Sequence, residues 1–357
     1  MIEGEVNNFI MVWMVATATF CYSHAVGKLV TNGGKARLVA LFPAIVLLFL
    51  LPLRLTSAHL GPPSTFLLGW LSTFKLLLFA FHKGPLSSNP PLSLPYFLIL
   101  ASLPITFQHL KDPNPQTIPD PHNNKTHQIY RLGLMAILSA CFFPLYGEKQ
   151  DSFYPVFTLL LISLHMYVSM ELVFGLASVA VSKLLHIKLD PHFDKPYLST
   201  SLQDFWGRRW NIMVNRVLHP TVYDPVVRVS SHVVGRKWAP LPAVMATFAV
   251  SGLMHELVFY SFKREKPNTL ERWEPSWDSL CFFLIHGACL TMEIGVKKKL
   301  GGRWRVPKAV SLPLTVAFVV STGLWLFVPA LARCGAFVKG KRESVAVVDY
   351  VRTLALT

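Results

Sequence analysis

The 357-residue chain is 52% hydrophobic and only 15% charged, with a mean hydropathy of +0.42. That composition excludes a water-soluble globule. Lys and Arg outnumber Asp and Glu 34 to 19, a net charge of +15, and the excess falls largely between apolar runs, which suits loops lying on anionic headgroups and not nucleic acid.

Apolar runs recur from Phe9 to Ala332, each approaching the ~20 residues that cross a bilayer core. The chain is therefore read as an all-α, polytopic helical membrane protein, a single membrane-embedded domain over 1–357. Eight spans are expected, at 9–27, 38–53, 65–82, 130–147, 153–182, 238–262, 279–296 and 309–332. Glu3 and Glu5 stand where a secretory signal carries basic residues, so the first run is read as a retained span. Lys75, inside the third run, is expected to snorkel to the interface. The segment 92–107 is apolar but short and interrupted by Pro95 and Pro104, and is expected to be re-entrant or interfacial. The polar, Pro- and Asn-rich stretch 111–126 reads as a flexible loop, and 153–182 as one long helix. Cys21, Cys141, Cys281, Cys289 and Cys334 form no metal or disulfide spacing and read as small buried hydrophobes. With eight spans, the loops on one side carry twice the Lys and Arg of the other, which puts 183–237 and 297–308 in the cytosol and both termini opposite. The N-terminal spans (1–182) thus precede a polar cytosolic loop (183–237) and the C-terminal spans (238–357).

Within that loop, residues 197–224 read YLSTSLQDFWGRRWNIMVNRVLHPTVYD. Leu202, Phe205, Trp206, Trp210, Met213, Val217 and Leu218 recur at helical spacing, so an amphipathic interfacial helix is expected, starting at a Ser201/Asp204 capping box and stopping at Pro220. Asp204, Arg208, Asn211 and Asn215 form its polar stripe, with Asp204 and Arg208 paired one turn apart and Asn211 beside them as a neutral hydrogen-bonding group. An ordinary interfacial helix accounts for the Trp and Arg positions. The density of Trp, Arg, Asp and Asn favours a site, in which Arg208 and Arg209 hold phosphates.

From Trp238 to Phe262 there is no Lys or Arg, yet His255 and Glu256 lie well inside the run. An ionisable residue at that depth costs roughly 2.5–3.5 kcal/mol when charged, which calls for a reason. A buried imidazole favours its neutral form and can take a proton from a hydroxyl. Ser251 and Gly252, one turn earlier, are expected to leave a small-walled recess on its face. H-E-L-V-F lacks the second His of a zinc protease, so no metal is expected. Alternatively, His255 and Glu256 only bridge neighbouring helices. His165, Glu171, His286 and Glu293 read as interhelical hydrogen-bonding groups or cavity walls.

Taken together, PYLSTSLQDFWGRRWN and, some forty residues later, SGLMHELVFY resemble the membrane-bound O-acyltransferases, and in detail the plant wax synthases, the long-chain-alcohol O-fatty-acyltransferases. The plant acyl-CoA:sterol acyltransferases share both motifs. The resemblance implies a helical fold around an internal tunnel, acyl-CoA as donor substrate with no cofactor, and a long-chain alcohol or sterol as acceptor. It places the catalytic histidine on His255 and a supporting asparagine on Asn211. Asp204, Trp206, Arg208, Arg209 and Trp210 are the candidates for binding acyl-CoA, with Lys297, Lys298 and Lys299 as further phosphate ligands. Ser251, Gly252 and Glu256 are the candidates for lining the acceptor tunnel. The expected chemistry is a one-step transfer making wax esters in a multi-pass protein of the endoplasmic reticulum. A lipid-binding or transport protein using the same buried carboxylates is the rival from another class.

Overall fold

In the computed structural model, residues 2–88, 91–105, 121–142, 155–185, 189–267, 272, 274–301 and 306–356 are described. Most of them are helical, with no β-strand among them. The long elements are α1 (Ile2–Leu29), α2 (Lys35–Leu50), α3 (Gly61–Ala80), α4 (Leu94–Ser102), α5 (Pro121–Phe142) and α6 (Pro155–Leu185). After the central loop come α10 (Pro240–Lys263), α11 (Asp278–Lys299), α12 (Lys308–Arg333) and α13 (Ala336–Leu356). Between them lie three shorter helices, α7 (Leu202–Asp204), α8 (Ile212–Leu218) and α9 (Asp224–Val234).

Seven of these helices are long and apolar enough to cross a membrane. The eighth expected span corresponds to α5, whose apolar part, Tyr130–Phe142, is shorter than a full crossing; residues 143–147 lie outside the described residues. Helix α6 runs unbroken from Pro155, as expected of one long element, while 153 and 154 lie outside the description. Of the loop expected over 111–126, residues 121–126 already belong to α5, which Pro121 opens. Proline is tolerated there because the first N–H of a helix has no partner to lose. The rest of that stretch is outside the described residues.

Helices in lipid gain little from the hydrophobic effect and associate by close packing and hydrogen bonds. The N-terminal core shows this. Ala16, Ala44, Ala80 and Ala101 are buried between α1, α2, α3 and α4 among Val12, Phe20, Leu41, Leu48 and Phe97. At nine residues, about 13 Å, α4 is too short to span, and it buries Phe97, Leu100 and Ala101 within the helix bundle. Its last carbonyls explain why Lys75 does not snorkel. The side chain is fully buried and Nζ donates to the carbonyls of Leu100 and Leu103, each at 2.6 Å, so acceptors inside the bundle replace the interface. Arg37 caps α1 likewise, donating to the carbonyls of Val30 and Thr31 and, across the bundle, to that of Phe79. The five cysteines are free thiols; Cys334 is buried, but Cys141 and Cys281 face outward, because lipid accepts a small apolar side chain as readily as the core does.

Hydrogen bonds sort the helix ends into two groups. In one, Glu5 of α1 accepts from Thr56, and Glu343 of α13 accepts from Ser57 Oγ (2.7 Å), Ala58 N (2.8 Å) and His59 Nδ1 (2.9 Å). Burial alone would raise the Glu343 carboxyl, but these donors outweigh it and hold it at about 2. Lys339 of α13 also caps the end of α10 through the carbonyls of Phe262 and Arg264. In the other group, Lys297 reaches Gln203 and Lys298 reaches the carbonyl of Lys237, which ties the end of α11 to the central loop. On the central loop, Val229 and Val233 of α9 share one exposed face, as an interfacial helix requires.

Candidate functional site

The central segment is not one helix. Ser201 does cap α7, its Oγ accepting from the N–H of Asp204 at 3.1 Å. The chain then widens into a π turn over Phe205–Arg209, extends at Trp210 and enters the left-handed region at Asn211 (φ 42°) before α8 begins. The break follows from a competing backbone partner. Asp194 N–H donates to Arg209 O and Ile212 N–H to His192 O, both at 2.9 Å, so the 192–194 segment takes the groups a continuous helix would use. Asparagine tolerates the left-handed conformation better than other branched or bulky residues. Nor does Pro220 stop the helix. It sits in a second π turn, His219–Tyr223, whose wider register absorbs the missing N–H and leads into α9.

The expected polar stripe is redistributed accordingly. Asp204 pairs with Arg209 (2.9 Å) and not with Arg208. Arg209 also donates to the carbonyl of Asp194, and Asn215 Nδ2 donates to Gly207 O at 2.9 Å, closing the turn. Arg208 is exposed and has no ion pair or hydrogen bond among the described residues. It lines a polar cavity of about 610 Å³ with Asp204, Arg209, Gln203, Lys297 and Lys308. Lys308, at the start of α12, is a cation that the sequence reading passed over. Lys298 is held on the carbonyl of Lys237, and neither it nor Lys299 lines the cavity.

The two tryptophans anchor the turn. Trp206 packs edge-on against Phe248 and donates Nε1–H to His286 Nδ1 at 3.1 Å. Since that nitrogen accepts, the other ring nitrogen of His286 carries the proton and donates to Thr322 Oγ1 at 2.8 Å. Trp210 stacks on Phe205 (5.4 Å) and on Tyr167 (6.1 Å), whose hydroxyl donates to Glu171 at 2.8 Å. Glu171 is in turn ion-paired with Arg131. His192, whose Nε2 donates to the Pro104 carbonyl, stacks on Phe174 at 4.7 Å; burial pulls its imidazole below the ordinary value, against the pull of that carbonyl. Glu293 accepts from the N–H of Leu202 at 2.9 Å, and His165 meets Ser139.

His255 lies in the middle of α10. Its Nδ1 is 2.7 Å from the carbonyl of Ser251, which can only accept, so Nδ1 carries the proton and Nε2 holds a lone pair. Among the described residues Nε2 has no hydrogen-bond partner. Around the ring stand Phe283 (4.5 Å), Phe327 (5.5 Å) and Trp70 (6.2 Å). Trp70 and Phe327 come from π-helical stretches, Thr65–Ser72 and Gly323–Phe327, inside two spans. Such bulges re-aim side chains and gather at functional sites. They have no readable sequence mark, and Trp70, Phe283 and Phe327 passed as ordinary apolar content.

Gly252 does not open a recess. A Cβ there would come within 2.7 Å of the Leu280 side chain, and one on Gly287 within 2.9 Å of Phe248, so both glycines serve close contact of α10 and α11. That contact sets Phe283 on His255 and Glu256 on Ser279, whose Oγ donates to the carboxylate at 2.8 Å. Glu256 is 2% exposed and ties helices together; Ser251 contributes its carbonyl to His255.

Asn211 and His255 are joined through the intervening core and not by a direct hydrogen bond. Met213, Val214 and Val217 of α8 pack on Trp70 and Leu71, with Val250 and Met254 of α10 against the same cluster. The Asn211 side-chain oxygen is buried and has no partner among the described residues. A buried amide oxygen left unpaired in a strained residue is costly, and such features are retained where a substrate completes them.

A family model described as "Membrane bound O-acyl transferase family" matches residues 189–285, which contain both Asn211 and His255. Among similar proteins, acyl-CoA–sterol O-acyltransferase 1 of Arabidopsis thaliana is 41% identical over 95% of this chain and 95% of its own. The long-chain-alcohol O-fatty-acyltransferase of Simmondsia chinensis is 40% identical over 98% of this chain and 97% of its own. Probable long-chain-alcohol O-fatty-acyltransferase 1 of Arabidopsis thaliana is 38% identical over 98% of both.

Proposed function

The chain belongs to the membrane-bound O-acyltransferase family, and from that premise we propose that it transfers a fatty acyl group from acyl-CoA to a long-chain alcohol, yielding a wax ester and free coenzyme A. The observation that carries this reading is the tautomer of His255: Nδ1–H held by the Ser251 carbonyl and Nε2 left as an unpartnered base in an aromatic enclosure. The alcohol oxygen attacks the thioester carbon as Nε2 takes its proton; the C–S bond breaks, and the imidazolium returns the proton to the leaving thiolate. Asn211 supports the reaction by meeting the substrate with its amide. The aromatic walls keep out water, the competing acceptor. On the resemblance of its motifs we assign the protein to the endoplasmic reticulum.

The coenzyme A phosphates fit the polar cavity, where Arg208 and Lys308 supply cations not already paired. Arg208→Ala and Lys308→Ala are expected to raise the KM for acyl-CoA several-fold, more steeply as salt rises, with turnover little changed. Steady-state kinetics on purified variants checks this, and an unchanged KM in both removes the phosphate assignment.

The similarity to a sterol O-acyltransferase gives the second reading, a sterol as acceptor. The His255 chemistry serves either hydroxyl. Microsomes expressing the chain, given labelled acyl-CoA with a panel of fatty alcohols, sterols and diacylglycerol, should form wax ester foremost. Steryl ester as sole product reverses the acceptor, and no covalent product returns the chain to the lipid-transport class.

A further inference from the structure

A second feature lies at the opposite end of α10, away from the polar cavity. An apolar cavity of about 310 Å³, within the range of single-ligand pockets, opens between α2, α3 and α10, walled by Leu50, Gly69 and Leu257. The helix directions put Trp70 at its deep end and Leu53, Tyr260 and Ser261 at its outer end, beside the loop that Glu343 fastens. Two polar groups there are unsatisfied. Ser261 is 4% exposed, lies in the wall and has an Oγ without a partner among the described residues. Arg264 is 1% exposed; its Nη2 donates to the carbonyls of Leu53 and Lys266, while Nε and Nη1 have no partner among the described residues. Its guanidinium lies 6.0 Å from the Tyr260 ring. Among the described residues no carboxylate pairs with it. A buried cation with two orphaned donors, set behind the Leu53 and Tyr260 wall of an apolar cavity, is an unfinished site for an anion that brings an apolar chain.

We propose that this pocket binds a single-chain lipid carboxylate, with its head on Arg264 and Ser261 and its chain running inward toward Trp70. The cavity volume favours one chain over the two of a phospholipid. Arg264 lies nine residues beyond His255, roughly 13 Å along the axis, so the head is a binding group remote from the reacting centre. The ligand is therefore not positioned for transfer, and its binding is read without turnover, so the test stands whether or not the acyltransferase reading does.

The test uses the purified full-length protein in nanodiscs with labelled palmitate, its neutral methyl ester and dipalmitoyl phosphatidic acid as probes. Palmitate should bind at least tenfold tighter than the methyl ester, and Arg264→Met should erase that preference. Gly69→Leu, at a wall position where a Cβ meets its neighbours only at ordinary contact distance, should fill the cavity and weaken both single-chain probes. Equal binding of acid and ester to the wild type overturns the proposal. So does a preference that survives Arg264→Met, or phosphatidic acid displacing palmitate more effectively than palmitate itself. Should Arg264→Met fail to fold, the wild-type comparison decides alone, with Ser261→Ala expected to lower palmitate affinity a few-fold.

Discussion

Alanine at position 255 should reduce ester formation by about 10²–10⁴-fold or more, the usual cost of losing a general base. The structure makes this loss specific to the base. Ser251 offers its backbone carbonyl, so the helix around position 255 does not depend on the imidazole, and the Gly252 and Gly287 contacts that join α10 and α11 are untouched. His255→Ala protein should therefore insert in the membrane and remain folded, with acyl-CoA binding retained. Turnover per folded molecule is the measurement, and an alanine variant with normal turnover refutes the role.

Asn211 carries the second large effect, and its backbone provides the control. The residue sits at φ 42°, where glycine is at least as comfortable as asparagine, so Asn211→Gly removes the amide without straining the turn. If the unpartnered oxygen or its amide nitrogen meets the substrate, turnover should fall roughly 10²-fold, as for one preorganised group, with thermal stability and acyl-CoA KM nearly unchanged. Full activity in the glycine variant would show that position 211 serves only to turn the chain. Asn211→Ala should lose both activity and some stability, since alanine resists the left-handed region.

Periodicity and depth were legible wherever a local rule decides. The long apolar runs, the Ser201 cap and the place of His255 inside a run without cations all follow from composition and spacing. The break at Trp210 does not, because the groups that cause it, His192 and Asp194, lie eighteen and sixteen residues upstream and act through their backbones. The same holds for Lys75, whose acceptors lie in and just after α4, and for Glu256 and Gly252, whose neighbours Ser279 and Leu280 come from the next span. Trp70 and Phe327 reach His255 through π turns that no residue pattern announces. Lys308 lies far from the motif in sequence, and only the fold brings it to the cavity that holds Arg208.

The most direct measurement of one-step transfer at His255 is rapid-quench release of free thiol from acyl-CoA by the purified protein, with and without fatty alcohol. If Nε2 activates the alcohol and no covalent acyl-protein forms, thiol should appear only when alcohol is present, in step with ester. A stoichiometric burst of thiol without alcohol, with label retained on the protein, would contradict it.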